Sequence, residues 1–434
     1  MLLITIDTLR PDHMSLYGYQ RPTTPRIDAF ARGATVFEQA FTFWPKTRGS
    51  FVMMLTGRRP SQNGYSKAHP VLLDFNPTIA SVLKAAGYKT AASVDNPNVA
   101  KHLGYAKGFD SYRETWEEPA LKTEVERARA ITEDGVRFLG AADRGKPFFL
   151  WLHYVNPHAP YAPPPPFDTA FTAGTEAGPR LKLVASFHGG IPKQWAVPGK
   201  DRQAWYVAQY DGEIASVDTE VGMVLEALAG SPVREHTLVI LTSDHGESLG
   251  EHDYYFDHGE NLFDPCLRIP LVVALPRAGA GQRSDVFAST LDLLPTILDA
   301  VKVSWPPDLA GESLLGVSSG GKGPARERLF AQNERSLSAS WDRHFKVVAT
   351  AQGVGTHYGL FDRESDPGET KNVAVARPAE LRSARRELEL FLERGDRERV
   401  KIQALLAGAQ GEGPMSRDAC EKLRALGYVA ECAP

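Results

Sequence analysis

The sequence predicts an α/β fold: a large, mostly parallel sheet sandwiched by helices, followed by a small C-terminal antiparallel α+β subdomain. Three observations predict it. Continuous apolar runs rich in Val, Ile, Leu and Phe occur at residues 2–6, 90–94, 148–154, 238–242 and 270–275. Helix-like stretches at 78–86, 121–139, 205–228 and 289–300 are interleaved with them. Beyond residue 323 the pattern turns to short strand-like runs at 329–333, 345–350 and 358–362.

Each element has its reason. A strand that is apolar throughout, rather than alternating, is covered on both faces. Strand, helix, strand in repetition gives parallel pairing with helices on both sides. Residues 157–167 are proline-rich, and 172–201 are rich in Gly and Pro with little periodicity. Long loops at strand ends commonly build substrate walls. The Gly-rich stretch 318–323 marks a boundary, which predicts domains 1–322 and 323–434. The second holds a helical pattern at 377–393 and a tail from 399 with another around 420–426.

Composition narrows the class of function. With 434 residues and 42% hydrophobic content, the chain can bury a large core. The net charge of −4 is spread over both signs, so no nucleic-acid partner is expected. Local cations can still receive a small anionic substrate, since steering depends on the field at the cleft. Cys266, Cys420 and Cys432 are few and odd in number, which predicts buried or incidental thiols rather than disulfides. No Cys/His cluster suggests structural zinc. No apolar run is long enough to span a bilayer, so no transmembrane segment is expected. Residues 1–6 read as a core strand, not a signal peptide. A soluble protein follows, cytoplasmic or exported if a leader has been trimmed. Oligomeric state has no readable signature.

Three motifs carry chemistry. In Leu238-Val-Ile-Leu-Thr-Ser-Asp244-His245-Gly246-Glu247 an apolar strand runs into an acid and a histidine. Ligands of open α/β sheets gather at the carboxyl ends of strands, and this pair suits a divalent metal. A helix-capping Asp with a solvated His is the competing explanation. In Leu2-Leu3-Ile4-Thr5-Ile6-Asp7 a second apolar strand ends in an acid. Two such strands fit one metal site built across neighbours. In Pro45-Lys46-Thr47-Arg48-Gly49-Ser50 a helix start carries hydroxyls and two cations before Gly57 stops the helix. A helix N-terminus is a natural oxyanion site, although Thr47 or Ser50 could equally be a simple cap.

Taken in order, these segments resemble the sulfatase family within the alkaline-phosphatase superfamily. The resemblance extends through Ala86-Gly-Tyr-Lys-Thr90, His153 to Tyr161, Thr242 to His252, Leu291-Asp-Leu-Leu-Pro-Thr296, and Leu360 to Pro367 with Asn372. It implies the alkaline-phosphatase/sulfatase-like fold. The family nucleophile is Cys or Ser followed by x-Pro-x-Arg, and counting back from Thr56-Gly57 places Thr47 there. Gly49 stands at the proline position and Phe51 at the arginine position. Relatives oxidise that Cys or Ser to formylglycine. Threonine carries a methyl on the carbon concerned, so no formylglycine is expected.

The resemblance implies one divalent metal (Mn, Zn, Mg or Ca) held by Asp7, Asp244 and His245 and completed by Thr47. His158 matches a family histidine that contacts the ester, and His258 falls where many sulfatases place a lysine. Each is a general acid or a ligand for a second metal. Lys46, Arg48 and Asn96 are expected to contact substrate, with one of the two cations in the cleft and the other in solvent. Ser50 is the minor candidate for nucleophile. The threonine favours a phosphate diester or phosphonate monoester, attacked by Thr47 to give a covalent intermediate. The alternatives are sulfate-ester hydrolysis without formylglycine, phosphoryl transfer to an acceptor other than water, and, last, a non-catalytic anion-binding relative.

Overall fold

The computed structural model describes residues 1–434 except 278–280, 305–307, 336, 353–354, 410–414, 428–431 and 433–434. Eight strands form the main sheet, in the order Gln282–Ser289, Thr35–Phe41, Leu271–Ala274, Val239–Thr242, Leu2–Ile6, Phe148–Tyr154, Lys89–Val94 and Ser111–Glu114. Only Leu271–Ala274 runs antiparallel, against both of its neighbours. The sheet is the large, mostly parallel one the sequence predicts.

The central strands are apolar throughout because each face meets a helical layer. Leu3, Trp151 and Ile240 join one core with the helices Thr47–Thr56, Ile79–Ala85 and Leu293–Ala300. Leu2, Ile4, Leu152 and Leu241 join the opposite core with Glu124–Gly140 and Gln203–Ala229. Among the described residues, four strands of the two larger sheets escaped the sequence reading: Thr35–Phe41, Ser111–Glu114, Gln282–Ser289 and Leu337–Trp341. Two of them, Gln282–Ser289 and Ser111–Glu114, are the edges of the main sheet, where polar residues face water and break the apolar run.

Register decides what the ends of the strands bring together. Thr5 lies opposite Thr242 on one side and His153 on the other. Val94 lies opposite His153 from the next strand. The chain therefore leaves the sheet at Asp7, Asp95–Asn96 and Asp244 along one continuous rim.

A four-stranded antiparallel meander follows: Leu329–Gln332, Leu337–Trp341, Phe345–Gln352 and Gly355–Asp362. The helix Pro378–Ala407 packs on it and outruns the expected 377–393. The boundary expected at 318–323 lies between the short helix Leu315–Ser318 and this sheet. Lys346 locks the sheet to the larger unit. Its fully buried ammonium lies 2.5 Å from Asp264 and 2.6 Å from Glu369, and donates to the Leu262 carbonyl.

The cysteine expectation is corrected for two of the three residues. Cys420 and Cys432 form a disulfide that closes the tail on itself, while Cys266 is a buried free thiol. The odd count hid the pair, because the third cysteine is a core residue. Among the described residues, no helix is long and apolar enough to cross a membrane.

Removing a buried cation strands its partners. Lys346→Met should lower unfolding free energy by about 3 kcal/mol, read from urea denaturation, even though Arg363 still reaches Asp264.

Candidate active site

Asp7 follows the strand Leu2–Ile6, and Asp244 and His245 follow its parallel neighbour Val239–Thr242. All three are fully buried. Their ligand atoms lie within 4.8 Å of one another. His245 Nε2 is 3.3 Å from Asp244 Oδ2 and 3.7 Å from Asp7 Oδ1. Those two carboxylate oxygens are buried without a hydrogen-bond partner. His245 Nδ1 donates to the Gly246 carbonyl at 2.9 Å, which leaves the Nε2 lone pair aimed at the acids. Burial, and then Asp244, hold the Asp7 carboxyl well above its ordinary range. Burial raises Asp244 to about 6 and lowers His245 to about 3. Converging orphan acids and a bare imidazole nitrogen fit a divalent cation, which would relieve their repulsion.

The backbone is bent to serve this point. Thr8 is β-branched yet has φ +54°, and its backbone N–H lowers the pKa of the Asp244 carboxyl against the effect of burial. Such strain persists only where the surroundings impose it.

The helix Thr47–Thr56 points its first turn at the same place. Thr47 is fully buried, and its Oγ1 lies 3.1 Å from His245 Nε2. Gly57 ends the helix as expected, at φ +61°. Neither Thr47 nor Ser50 caps the helix: Lys46 is the N-cap, without a side-chain bond. Ser50 Oγ instead donates to the Asp244 carbonyl at 2.7 Å and ties the helix to the metal-site loop. Gly49 is dictated by packing, since a Cβ there would lie 2.4 Å from the Trp44 indole. Phe51, at the family's arginine position, packs edge-on against His153 with centroids 4.8 Å apart.

The remaining expected residues divide. Asn96 is fully buried, and its Nδ2 donates to Asp7 Oδ2 at 2.6 Å while its Oδ1 accepts from Asn98 N. It orients the acid, where a contact to substrate was expected. Lys46 lines a cleft of about 890 Å³ together with Lys67, His258, Glu334 and Arg335, and lies 3.8 Å from Glu334. Arg48 turns to the Pro70 carbonyl instead. His158 and His258 meet edge to face at 5.0 Å, and His258 lies 4.1 Å from the His245 ring. His158 Nδ1 donates to the Ala159 carbonyl, and His258 Nδ1 is hydrogen-bonded to Glu247 Oε1. Burial lowers His158 to about 4 and His258 well below its ordinary value. An anionic ester beside them would favour their protonated forms. Among the described residues the group that could hold a metal ion is Asp7, Asp244 and His245, without either of these histidines.

Three residues were missed. His153 Nε2 lies 3.7 Å from Asp7 Oδ2, and its Nδ1 meets Thr5 Oγ1 at 3.0 Å. Its signal was only partial: a ligand-type residue one position before the end of the apolar strand Phe148–Tyr154. Glu247, fully buried behind His258, was in the quoted motif but had no role. Glu213 staples the loop carrying His158, accepting from Asn156 Nδ2 at 2.7 Å and Ala162 N at 2.9 Å.

A hydroxyl at a helix start, against two acids and a group of imidazoles, defines a hydrolase of sulfate or phosphate esters in the alkaline-phosphatase superfamily. The chain belongs to the sulfatase family, whose model, "Sulfatase", matches residues 1–303. A second model, "N-sulphoglucosamine sulphohydrolase, C-terminal", matches residues 250–394. The chain is 26% identical to an N-acetylglucosamine-6-O-sulfatase of Bacteroides thetaiotaomicron, over 88% of this chain and 83% of that protein. It is 28% identical to human N-sulphoglucosamine sulphohydrolase, over 83% and 82% respectively. Among solved structures, a phosphonate monoester hydrolase of Agrobacterium radiobacter shares the fold, with TM-score 0.76 and 22% identity over 91% of this chain and 95% of that one.

Two outcomes are expected. Titration of metal-free protein with Mn²⁺ should saturate at one equivalent, and Asp244→Asn should weaken that binding by at least about 100-fold. Burial raises the Glu213 carboxyl from 4.5 to about 8. The fold keeps that proton where the unfolded chain has lost it, so its stabilising contribution is complete below pH 4.5 and gone by about pH 8. Across that window the Tm of wild type should fall relative to Glu213→Gln; parallel Tm curves would contradict this.

Proposed function

We propose that this protein hydrolyses a sulfuric ester with the unmodified Thr47 hydroxyl as nucleophile. The observation that carries the reading is the 3.1 Å contact of Thr47 Oγ1 with His245 Nε2 beside Asp7 and Asp244. The choice of sulfur rests on the relatives, a sulfatase and a sulphohydrolase, each matched over more than four fifths of this chain. They reverse the preference for phosphorus drawn from the threonine alone.

The chain's own groups supply most of the chemistry. Without a cation His245 Nε2 accepts from the Thr47 hydroxyl; with one bound, its single lone pair would serve the cation and Thr47 Oγ1 would lie beside it. A divalent cation held by Asp7, Asp244 and His245 would, when bound, acidify that hydroxyl and neutralise ester oxygens. Lys46 and the first-turn N–H groups of the Thr47–Thr56 helix receive the nonbridging oxygens. The Thr47 hydroxyl gives up its proton to water, and its oxygen bonds to sulfur as the bond from sulfur to the alcohol oxygen breaks. His158 or His258, protonated in the presence of the anion, gives the departing alcohol its proton. Water then displaces the sulfo group from Thr47 and restores the hydroxyl.

A second reading keeps the same residues and substitutes a phosphate diester or phosphonate monoester. Thr47 favours it, because threonine cannot become formylglycine and release of the covalent adduct depends on direct attack by water.

The test is turnover of 4-nitrophenyl sulfate, bis(4-nitrophenyl) phosphate and 4-nitrophenyl phenylphosphonate by wild type, Thr47→Ala and Thr47→Ser with Mn²⁺. Thr47→Ala should lose at least about 10³-fold in kcat, with Thr47→Ser partly active. A Thr47→Ala enzyme as fast as wild type removes the nucleophile. Faster turnover of either phosphorus ester than of the sulfate replaces the first reading with the second.

A further inference from the structure

The C-terminal tail carries a charge where a helix normally buries only apolar groups. In the helix Arg417–Ala425 and its end, Ala419, Lys422, Leu423 and Leu426 are all buried. Their spacing of i, i+3, i+4 and i+7 is one face of a helix. Three of the four are apolar; the fourth is a lysine, 8% exposed. Burying an ammonium is costly unless it is paired.

Its partners sit behind the candidate active site. Lys422 Nζ pairs closely with Glu124 and lies 4.0 Å from Asp95 Oδ2. Asp95 is 1% exposed, held also by Arg127 at 2.8 Å and by the Thr115 hydroxyl at 3.0 Å. The next residue, Asn96, is the one whose amide fixes Asp7. The same tail reaches the substrate side, since Leu426 and Gly427 line the cleft that holds Lys46 and His258. A Cβ at Gly427 would lie 2.9 Å from the Trp195 ring, so the chain crosses there in close contact. Cys420, on this helix, is bridged to Cys432 beyond it.

We infer that the tail helix is a built-in wall of the active site and that Lys422 is a positioning residue, acting through Asp95 and Asn96 on Asp7. The inference rests on reading Asp7, Asp244 and His245 as the metal-holding set. A helix that only filled space would have an apolar residue at position 422. A lysine there makes the geometry of the segment Asp95–Asn98 depend on the tail being docked, and partners that orient metal ligands commonly change metal affinity about 10- to 100-fold.

The experiment uses the full chain and Mn²⁺ itself. Metal-free wild type, Lys422→Met, Lys422→Arg and the doubly neutral Lys422→Met/Glu124→Gln are titrated by calorimetry, with Tm and the split between kcat and KM measured alongside. Lys422→Met should bind Mn²⁺ about 10-fold more weakly, Lys422→Arg should recover most of the loss, and kcat should fall more than KM rises. The double variant keeps the charge balance and remains informative if the single variant does not fold; it should show the same weakened binding. Wild-type Mn²⁺ affinity in Lys422→Met, or in the double variant if Lys422→Met does not fold, overturns the inference while leaving the proposed function intact. Tail-dependent Mn²⁺ binding in a protein that turns over none of the esters overturns the proposed function alone. A wild type that binds no Mn²⁺ overturns both.

Discussion

Two buried carboxylates, Asp7 and Asp244, face one another at the ends of adjacent parallel strands, and the surrounding structure is arranged around that repulsion. Neither acid reaches water. Each has one oxygen satisfied by the protein, by the Asn96 amide for Asp7 and by the His245 N–H for Asp244. The other oxygen of each is left unpaired beside His245 Nε2. Leaving buried charge unpaired is among the most costly things a fold can do. A rigid sheet can hold such a pair because its backbone hydrogen bonds fix the strand ends independently of the side chains. A divalent cation would turn the same arrangement from a liability into a binding site.

The imidazoles continue this logic. His153, His158, His245 and His258 are all driven toward the neutral form, with burial as the largest cause. Four neutral rings can surround two acids without adding fixed positive charge. Lys46 supplies that charge at the rim, where it is half-buried and shared with Glu334 of the C-terminal subdomain. The site is thus dry at its base, and its mouth sets Lys46, Lys67 and Arg335 against Asp257, Glu260 and Glu334. The smaller subdomain takes part in the cleft through Glu334 and Arg335, and Lys346 keeps it in register with the catalytic unit.

Much of this was legible in the chain. The strands at 2–6 and 148–154 could be read because both faces of a central strand are apolar, and Asp7, Asp244 and His245 were picked out because two such strands ending in acids fit one site built across neighbours. Thr47 was legible only by its register against Thr56-Gly57. The edge strands were hidden, since Gln282–Ser289 and Ser111–Glu114 carry the polar residues that a half-exposed strand requires. His153 was hidden by its position inside an apolar run. The disulfide was hidden by Cys266, whose place in the core made the count odd.

Asn96 and Lys422 show where sequence reading stops. By itself the sequence determined the fold class, the two strands that end in acids, the helix start bearing Thr47, and the inability of threonine to become formylglycine. These are local matters of hydrophobic period, capping position and side-chain chemistry. Only the tertiary structure decided that the Asn96 amide serves Asp7, that Lys46 and not Arg48 lines the cleft, and that a lysine near the far end of the chain sits behind the metal site. Those outcomes depend on strand register and helix docking, where a shift of one residue turns a side chain to the opposite face.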